Sequence, residues 1–282
     1  MCVMCVGTSV AERPTRAELT TACINNPDGF GYGVVVDLGT TRKLFQGHGM
    51  EAEAVINEYL ELLDSCEAME NLSMADGSKN PFKVLGHLFH ARIATRGAVA
   101  LSGCHPFTVG DGSESLLAHN GMLPLNIPQD DRRVDSQVFA EDVLPMFGGV
   151  EALMNQYTWD VLDGFVEGAN SKVVILNTVH DEVPVIILGE NLGHWDKQSG
   201  LWWSNWGYKP RPTYAPTTTS SWSARTQQAY DTFTSPEATP AEQYEGCIVC
   251  FIDIEGKAYC EWCRTCQDCA MNINDCLCLE VS

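Results

Sequence analysis

The stretch MCVMCVG, residues 1–7, can be read in two ways, and the choice between them decides the fold. As a strand it is ordinary: Val3 and Met4 are apolar, and Cys2 and Cys5 are two interchangeable small thiols. As a terminus it is chemical. The small Cys2 side chain permits removal of Met1, which exposes an α-amine with a pKa of about 7.7–8.0. Such an amine is partly neutral near pH 7 and can take the proton of its own thiol, directly or through one water. No separate histidine is then required as base. The stretch alone supports either reading, so the rest of the chain has to decide.

The bulk properties narrow the classes. A chain of 282 residues fits one large domain with a small appendage. Hydrophobic residues make up 45% and charged residues 19%, enough apolar material for a sizeable core. The formal net charge of −20 repels phosphate backbones, which argues against broad nucleic-acid binding. No apolar run approaches the roughly 18 residues of a membrane span, and no basic-then-apolar leader is visible. The expectation is a cytoplasmic protein that binds neither nucleic acid nor membrane.

Three textures follow one another along the chain. In the first, GYGVVVDL (31–38), KVVILNTV (172–179) and VPVIILGE (183–190) are β-branched runs bounded by turn residues, the pattern of buried strands. EAEAVINEYLELLDSCEAM (51–69) carries apolar residues at helical spacing. DSQVFAEDVLPMF (135–147) begins with a capping candidate and predicts a second helix. Strands with interposed helices imply a layered α+β domain. From Lys209 to Gln243, 17 of 35 residues are Pro, Thr or Ser and no period survives, which reads as a linker. The block 247–282 is short and Cys-dense and needs a staple to fold.

Four segments of the first block belong together: the Cys2 terminus, HARIATRG (90–97), AHNG (118–121) and VDSQV (134–138). In this order they resemble the class II glutamine amidotransferases, the N-terminal-nucleophile (Ntn) glutaminase family. That family has a Cys-first terminus, an arginine segment of the His-Thr-Arg-Trp-Ala-Thr-His-Gly kind, a His-Asn-Gly turn and an Asp-led helix start. HPF (105–107) between the second and third, and NNPDGFGYGVV (25–35), are also similar to family features. The resemblance covers roughly residues 2–208, ending near LWWSNWGY (201–208). It implies a four-layer αββα sandwich and hydrolysis of the glutamine side-chain amide through a thioester on Cys2. It further implies oxyanion donors at the Asn120 side chain and the Gly121 N–H, and a substrate pocket of Arg92 for the α-carboxylate, Asp135 for the α-ammonium, and Thr95. An arginine fork suits a carboxylate, and a glycine lets backbone approach a substrate closely. Departures from the family pattern are Val3, Ala91, Ile93, Arg96 and Gln137, all around the glutamine site.

The remaining cysteines and histidines of this block carry blander readings. Cys5, Cys23, Cys66 and Cys104 are expected to be buried, inert thiols. His105, before a proline, is expected to brace a loop, and His48, His87, His180 and His194 have no spacing that implies a ligand set.

The tail reads differently. CIVC (247–250), nine residues, then CEWC (260–263) matches the knuckle pairs of zinc ribbons; CQDC (266–269) and CLC (276–278) add four thiols. The expected Zn2+ ligands are Cys247, Cys250, Cys260, Cys263, Cys266, Cys269, Cys276 and Cys278, and the metal would supply folding energy. Six acids against two bases in 247–282 suit a protein partner better than a nucleic acid. No segment after 208 is large enough for a synthase. The expectation is therefore a stand-alone glutaminase subunit, of the kind found in bacterial and phage gene clusters, feeding ammonia to a separate synthase or ligase. The alternatives are a γ-glutamyl amide or peptide hydrolase, and an inactive zinc-stapled binding module.

Overall fold

The computed structural model describes residues 2–95, 97–112, 114–128 and 130–210; the expected zinc ligands and nearly all of the expected linker lie outside them. The chain divides into two compact units, Met1–Ser204 and Asn205–Ser282. In the second, the Lys209 ammonium sits 4.3 Å from the centroid of the Trp206 ring, a cation over an aromatic face.

The first unit is α+β. Its elements in chain order are β1 (Val3–Gly7), α1 (Arg16–Asn25), β2 (Phe30–Asp37), β3 (Arg42–Gly49), α2 (Ala52–Glu70), β4 (Lys83–Ala91), β5 (Phe107–Thr108), β6 (Ser115–Asn120), α3 (Asp135–Val138), α4 (Leu144–Met146), α5 (Gln156–Gly168), β7 (Lys172–Asn177), β8 (Val185–Leu188), β9 (His194–Trp195) and β10 (Trp202–Trp203). The strands form two antiparallel sheets, one ordered β3-β2-β4-β1-β10-β9 and the other β5-β6-β7-β8.

Alternation along the strands decides what each sheet face meets. Met4 and Val6 of β1, Val35 of β2 and Leu88 of β4 share one apolar cluster with Leu116 and Ala118 of β6 and Val174 and Leu176 of β7. The two sheets therefore face each other through these residues. Their alternate neighbours on the second sheet, Leu117, Val173 and Ile175, pack with Phe139, Leu144, Leu162 and Val166 from the helical segments α3–α5. On the far side of the first sheet, Tyr59 of α2 lies against Tyr32 and Phe89 and shares a 2.6 Å hydrogen bond with Nδ1 of His87.

The predicted strands are present at Phe30–Asp37, Lys172–Asn177 and Val185–Leu188, and the long predicted helix at Ala52–Glu70. The strand read as 172–179 stops at Asn177 because its side chain closes the turn to β8, donating to Val183 O and accepting from the His180 N–H. The helix read as 135–147 is not uniform: a wide i→i+5 turn over Phe139–Val143 separates α3 from α4. Pro145, early in α4, has no N–H to give to the preceding turn. The Ala140 carbonyl accepts from the Gly110 N–H instead.

Candidate functional site

Cys2 lies half-buried at the entry to β1, between Met1 and the first paired residue, Val3, which faces Ala91. That register sets Cys2 beside the chain leaving β4. The Ile93 N–H donates to the Cys2 sulfur at 3.4 Å, and the thiol reaches the Ile93 carbonyl at 3.6 Å. Burial pushes the Cys2 thiol above its ordinary pKa, while the Ile93 contact and the positive charges of the N-terminus and Arg92 oppose the rise.

The arginine segment is held by the turn that opens β2. The Arg92 N–H donates to Gly29 O at 2.8 Å, the Asp28 N–H donates to Arg92 O at 2.9 Å, and the Asp28 carboxylate accepts the Ala94 N–H at 2.8 Å. The Pro-Asp-Gly stretch thus continues the β2–β4 ladder into the loop. The Arg92 guanidinium, 3% exposed, donates to the Ala98 carbonyl at 3.1 Å and packs on Gly103. A methyl at Gly103 would stand 2.9 Å from the guanidinium carbon, so that glycine makes room for the charge.

The second sheet supplies the opposite wall. β6 runs through His119 to Asn120 and is followed by Gly121 at φ +144°, backbone that a side chain rarely adopts. A Cβ there would run into Ser171, 2.8 Å from its Cα. Asp135 is the first residue of α3, and its carboxylate accepts the Leu123 N–H at 2.8 Å.

Five of the six residues expected at the catalytic and substrate sites line one cleft: Cys2, Arg92, Thr95, Gly121 and Asp135. They come from four separated stretches of chain, Arg92 and Thr95 sharing one. The sixth, Asn120, is fully buried one residue before Gly121 and lies 2.8 Å from Ser204 through its amide.

Two histidines, His105 and His119, also line the cleft, with Ile93, Val134 and Ser136. His105 does not brace its loop by hydrogen bonds: neither ring nitrogen has a partner, and the ring packs 4.1 Å from the His90 ring and 4.7 Å from Phe107, centroid to centroid. His119 bonds Ser136 Oγ through Nδ1 at 2.8 Å. Burial pushes the His90 pKa down to about 3 and that of His119 to about 4, and takes His105 well below its ordinary value. All three rings are neutral near pH 7. For His105 and His119 the only sequence signals are the His-Pro pair and the His-Asn-Gly turn; a serine just past a short strand, Ser204, carries none.

The other thiols among the described residues are sequestered. Cys5, Cys23, Cys66 and Cys104 are buried, and burial raises each pKa, that of Cys66 to about 11. His48, His87 and His180 each bond a backbone carbonyl, those of Pro106, Ser9 and Val150. Among the described residues no group of three or more His, Cys, Asp or Glu is placed to hold a metal ion.

No protein-family model matches the chain, and no curated protein matches its sequence. Among solved structures, a glutamine phosphoribosylpyrophosphate amidotransferase from B. subtilis, complexed with ADP and GMP, is similar at TM-score 0.34 and 15% identity. The alignment covers 72% of this chain and 41% of that one. A structure described as the allosteric regulatory enzyme of purine biosynthesis is similar at TM-score 0.33 and 15% identity, with the same coverage of 72% and 41%. The chain thus spans about two fifths of the length of these proteins. Likeness at this level identifies neither activity nor substrate.

Proposed function

We propose that this chain is a glutaminase of the class II amidotransferase kind, built as an αββα sandwich. It hydrolyses the side-chain amide of glutamine on Cys2 and delivers the ammonia to a separate synthase or ligase in the cytoplasm. The observation that supports this most is the cleft itself: the Cys2 thiol, a buried guanidinium, a carboxylate and a glycine at positive φ converge there from distant segments.

Removal of Met1 gives Cys2 a free α-amine. With its pKa raised by burial, little of the thiol is ionised at neutral pH, so attack needs a base in the site. The two cleft imidazoles are poor candidates, because their depressed pKa values leave them weak proton acceptors. The α-amine, at about 7.7–8.0 when unperturbed, is matched to the task. The thiolate adds to the amide carbon, the Asn120 amide and the Gly121 N–H receive the oxyanion, and protonated nitrogen leaves as ammonia. Water then cleaves the γ-glutamyl thioester, releasing glutamate and restoring the thiol. Each oxyanion donor lowers the barrier by about 2.7–4 kcal/mol. Arg92 and Asp135 hold the α-carboxylate and α-ammonium, with Thr95 beside them. The eight tail cysteines, Cys247 to Cys278, bind zinc and form the docking module for the ammonia-consuming partner.

The test is ammonia release from glutamine by the Met1-processed protein against Cys2→Ala, with γ-glutamyl peptides in the same panel. Release that depends on Cys2 and rises with pH through the amine range supports the reading. Equal release from both proteins sinks it, and release from γ-glutamyl peptides alone replaces glutamine by that substrate class.

A further inference from the structure

A buried contact beside the cleft leaves polar atoms unaccounted for. Ser204 follows β10 and is fully buried. It is tied to β1 in both directions: the Ser204 N–H donates to the Met4 carbonyl at 3.0 Å, and the Met4 N–H donates to Ser204 Oγ at 2.8 Å. Met4 is two residues from Cys2. Across the inter-sheet layer, the Asn120 amide lies 2.8 Å from the same Oγ. Asn120 is on the β6 face shared by Leu116 and Ala118, which face the first sheet.

The two ends of a carboxamide are alike in shape, so hydrogen bonds decide its orientation. With Nδ2 towards Ser204, Oγ accepts two N–H groups, and its own hydrogen has no acceptor among the described residues. Asn120 Oδ1 is then buried without a partner as well. With the amide turned over, the Ser204 hydroxyl donates to Oδ1 while Oγ still accepts the Met4 N–H. One group is stranded instead of two, and it is Nδ2, a pair of N–H donors held in a dry place next to Gly121. A buried donor without a protein partner is costly unless a ligand oxygen meets it.

We propose that Ser204 is the positioning residue for Asn120: its hydroxyl grips Oδ1 and leaves Nδ2 for a substrate oxygen. This rests on the glutaminase reading for its catalytic consequence, though not for the orientation itself. Ser204 then links the strand that carries Cys2 to the residue that receives the oxyanion, so one hydroxyl sets the spacing between nucleophile and donor.

Two measurements on the full chain test this. A neutron structure of the deuterated protein distinguishes the deuterated amide nitrogen from the oxygen at Asn120. Oδ1 facing Ser204 is the expected result, and Nδ2 facing Ser204 overturns the proposal whether or not glutamine is a substrate. Kinetics read the consequence. Ser204→Ala is expected to lower kcat by about 10–100-fold, less than outright loss of a donor, with KM within about twofold. Ser204→Thr keeps the hydroxyl and is expected to recover most of kcat. Alkylation of Cys2 by iodoacetamide forms no oxyanion, so its rate should be the same in all three proteins. An unchanged kcat in Ser204→Ala, a Thr variant no better than Ala, or an alkylation rate that falls in step with kcat overturns the positioning role. If the wild type releases no ammonia while Oδ1 faces Ser204, the glutaminase reading fails and the clamp stands.

Discussion

Acid should unfold this protein earlier than its composition suggests, and the cause is four buried imidazoles. His87, His90, His105 and His119 are each 4% exposed or less. Burial holds His87 and His119 at about 4 and His90 at about 3, with His105 also well below its ordinary value. In the unfolded chain each returns to about 6.5. Between those limits the unfolded state binds more protons than the native one, so stability increases with pH there. The contribution is complete above about pH 6.5 and is lost as pH falls towards 4. At pH 5.5 an unfolded histidine is about nine-tenths protonated while the native one is neutral, which costs about 1.4 kcal/mol each. For His87, His90 and His119 together the loss is about 4 kcal/mol, a large share of a typical stability of about 5–15 kcal/mol. Urea melts at pH 8, 7, 6 and 5.5, followed by tryptophan fluorescence, measure it; Trp202 and Trp203 are fully buried and report unfolding. The slope near pH 5.5 should correspond to uptake of about three to four protons, His105 included. His90→Gln should remove about one of them, whatever it does to absolute stability. A stability that stays flat from pH 7.5 to 5.5 would refute the reasoning.

Gly121→Ala combines a backbone that disfavours side chains with a collision against Ser171. It should cost about 2–5 kcal/mol in chemical denaturation, and adding Ser171→Gly should recover only the share due to the collision. Thr15→Ala breaks a reciprocal capping box, in which Thr15 accepts the Glu18 N–H and the Glu18 carboxylate accepts the Thr15 N–H, and should lower stability by about 1 kcal/mol. Arg92→Lys replaces a fork by a point charge and should raise KM for glutamine at least about tenfold while changing kcat less; the reverse pattern would remove Arg92 from substrate binding. Native mass spectrometry of the full chain should show bound zinc that a chelator strips, and Cys247→Ser with Cys250→Ser should lower the occupancy.

What the sequence made legible follows the strength of each local signal. β2, β7 and α2 were readable because β-branched runs or helical periodicity repeat over many residues in each. β4 was not singled out: Gly86, His87 and His90 dilute its pattern, and those histidines are buried through partners distant in sequence, Tyr59 and the His119 carbonyl. β3 is an edge strand with mostly partial exposure and little apolar alternation. α1 was not singled out, although Thr-Arg-Ala-Glu at 15–18 has capping-box spacing; its body buries only Leu19, Ala22 and Cys23. At the site, short ordered motifs pointed to Cys2, Arg92, Thr95, Gly121 and Asp135 before any geometry was known. Ser204 and the neutral state of His105 and His119 depend on what packs against them, which no local motif encodes.

Because Cys2 belongs to one sheet and Gly121 to the other, neither sheet alone contains a site. β1 must insert between β4 and β10, and β6 must then meet that sheet across the Met4–Leu116–Leu176 layer, before the cleft exists. These pairings span long stretches of chain and close late in folding, after local helices and hairpins. A growing or partly folded chain therefore carries Cys2 without Gly121 and Asp135 beside it. The cleft forms with sheet docking, so ammonia release, as proposed above, would report completion of the contact between the sheets.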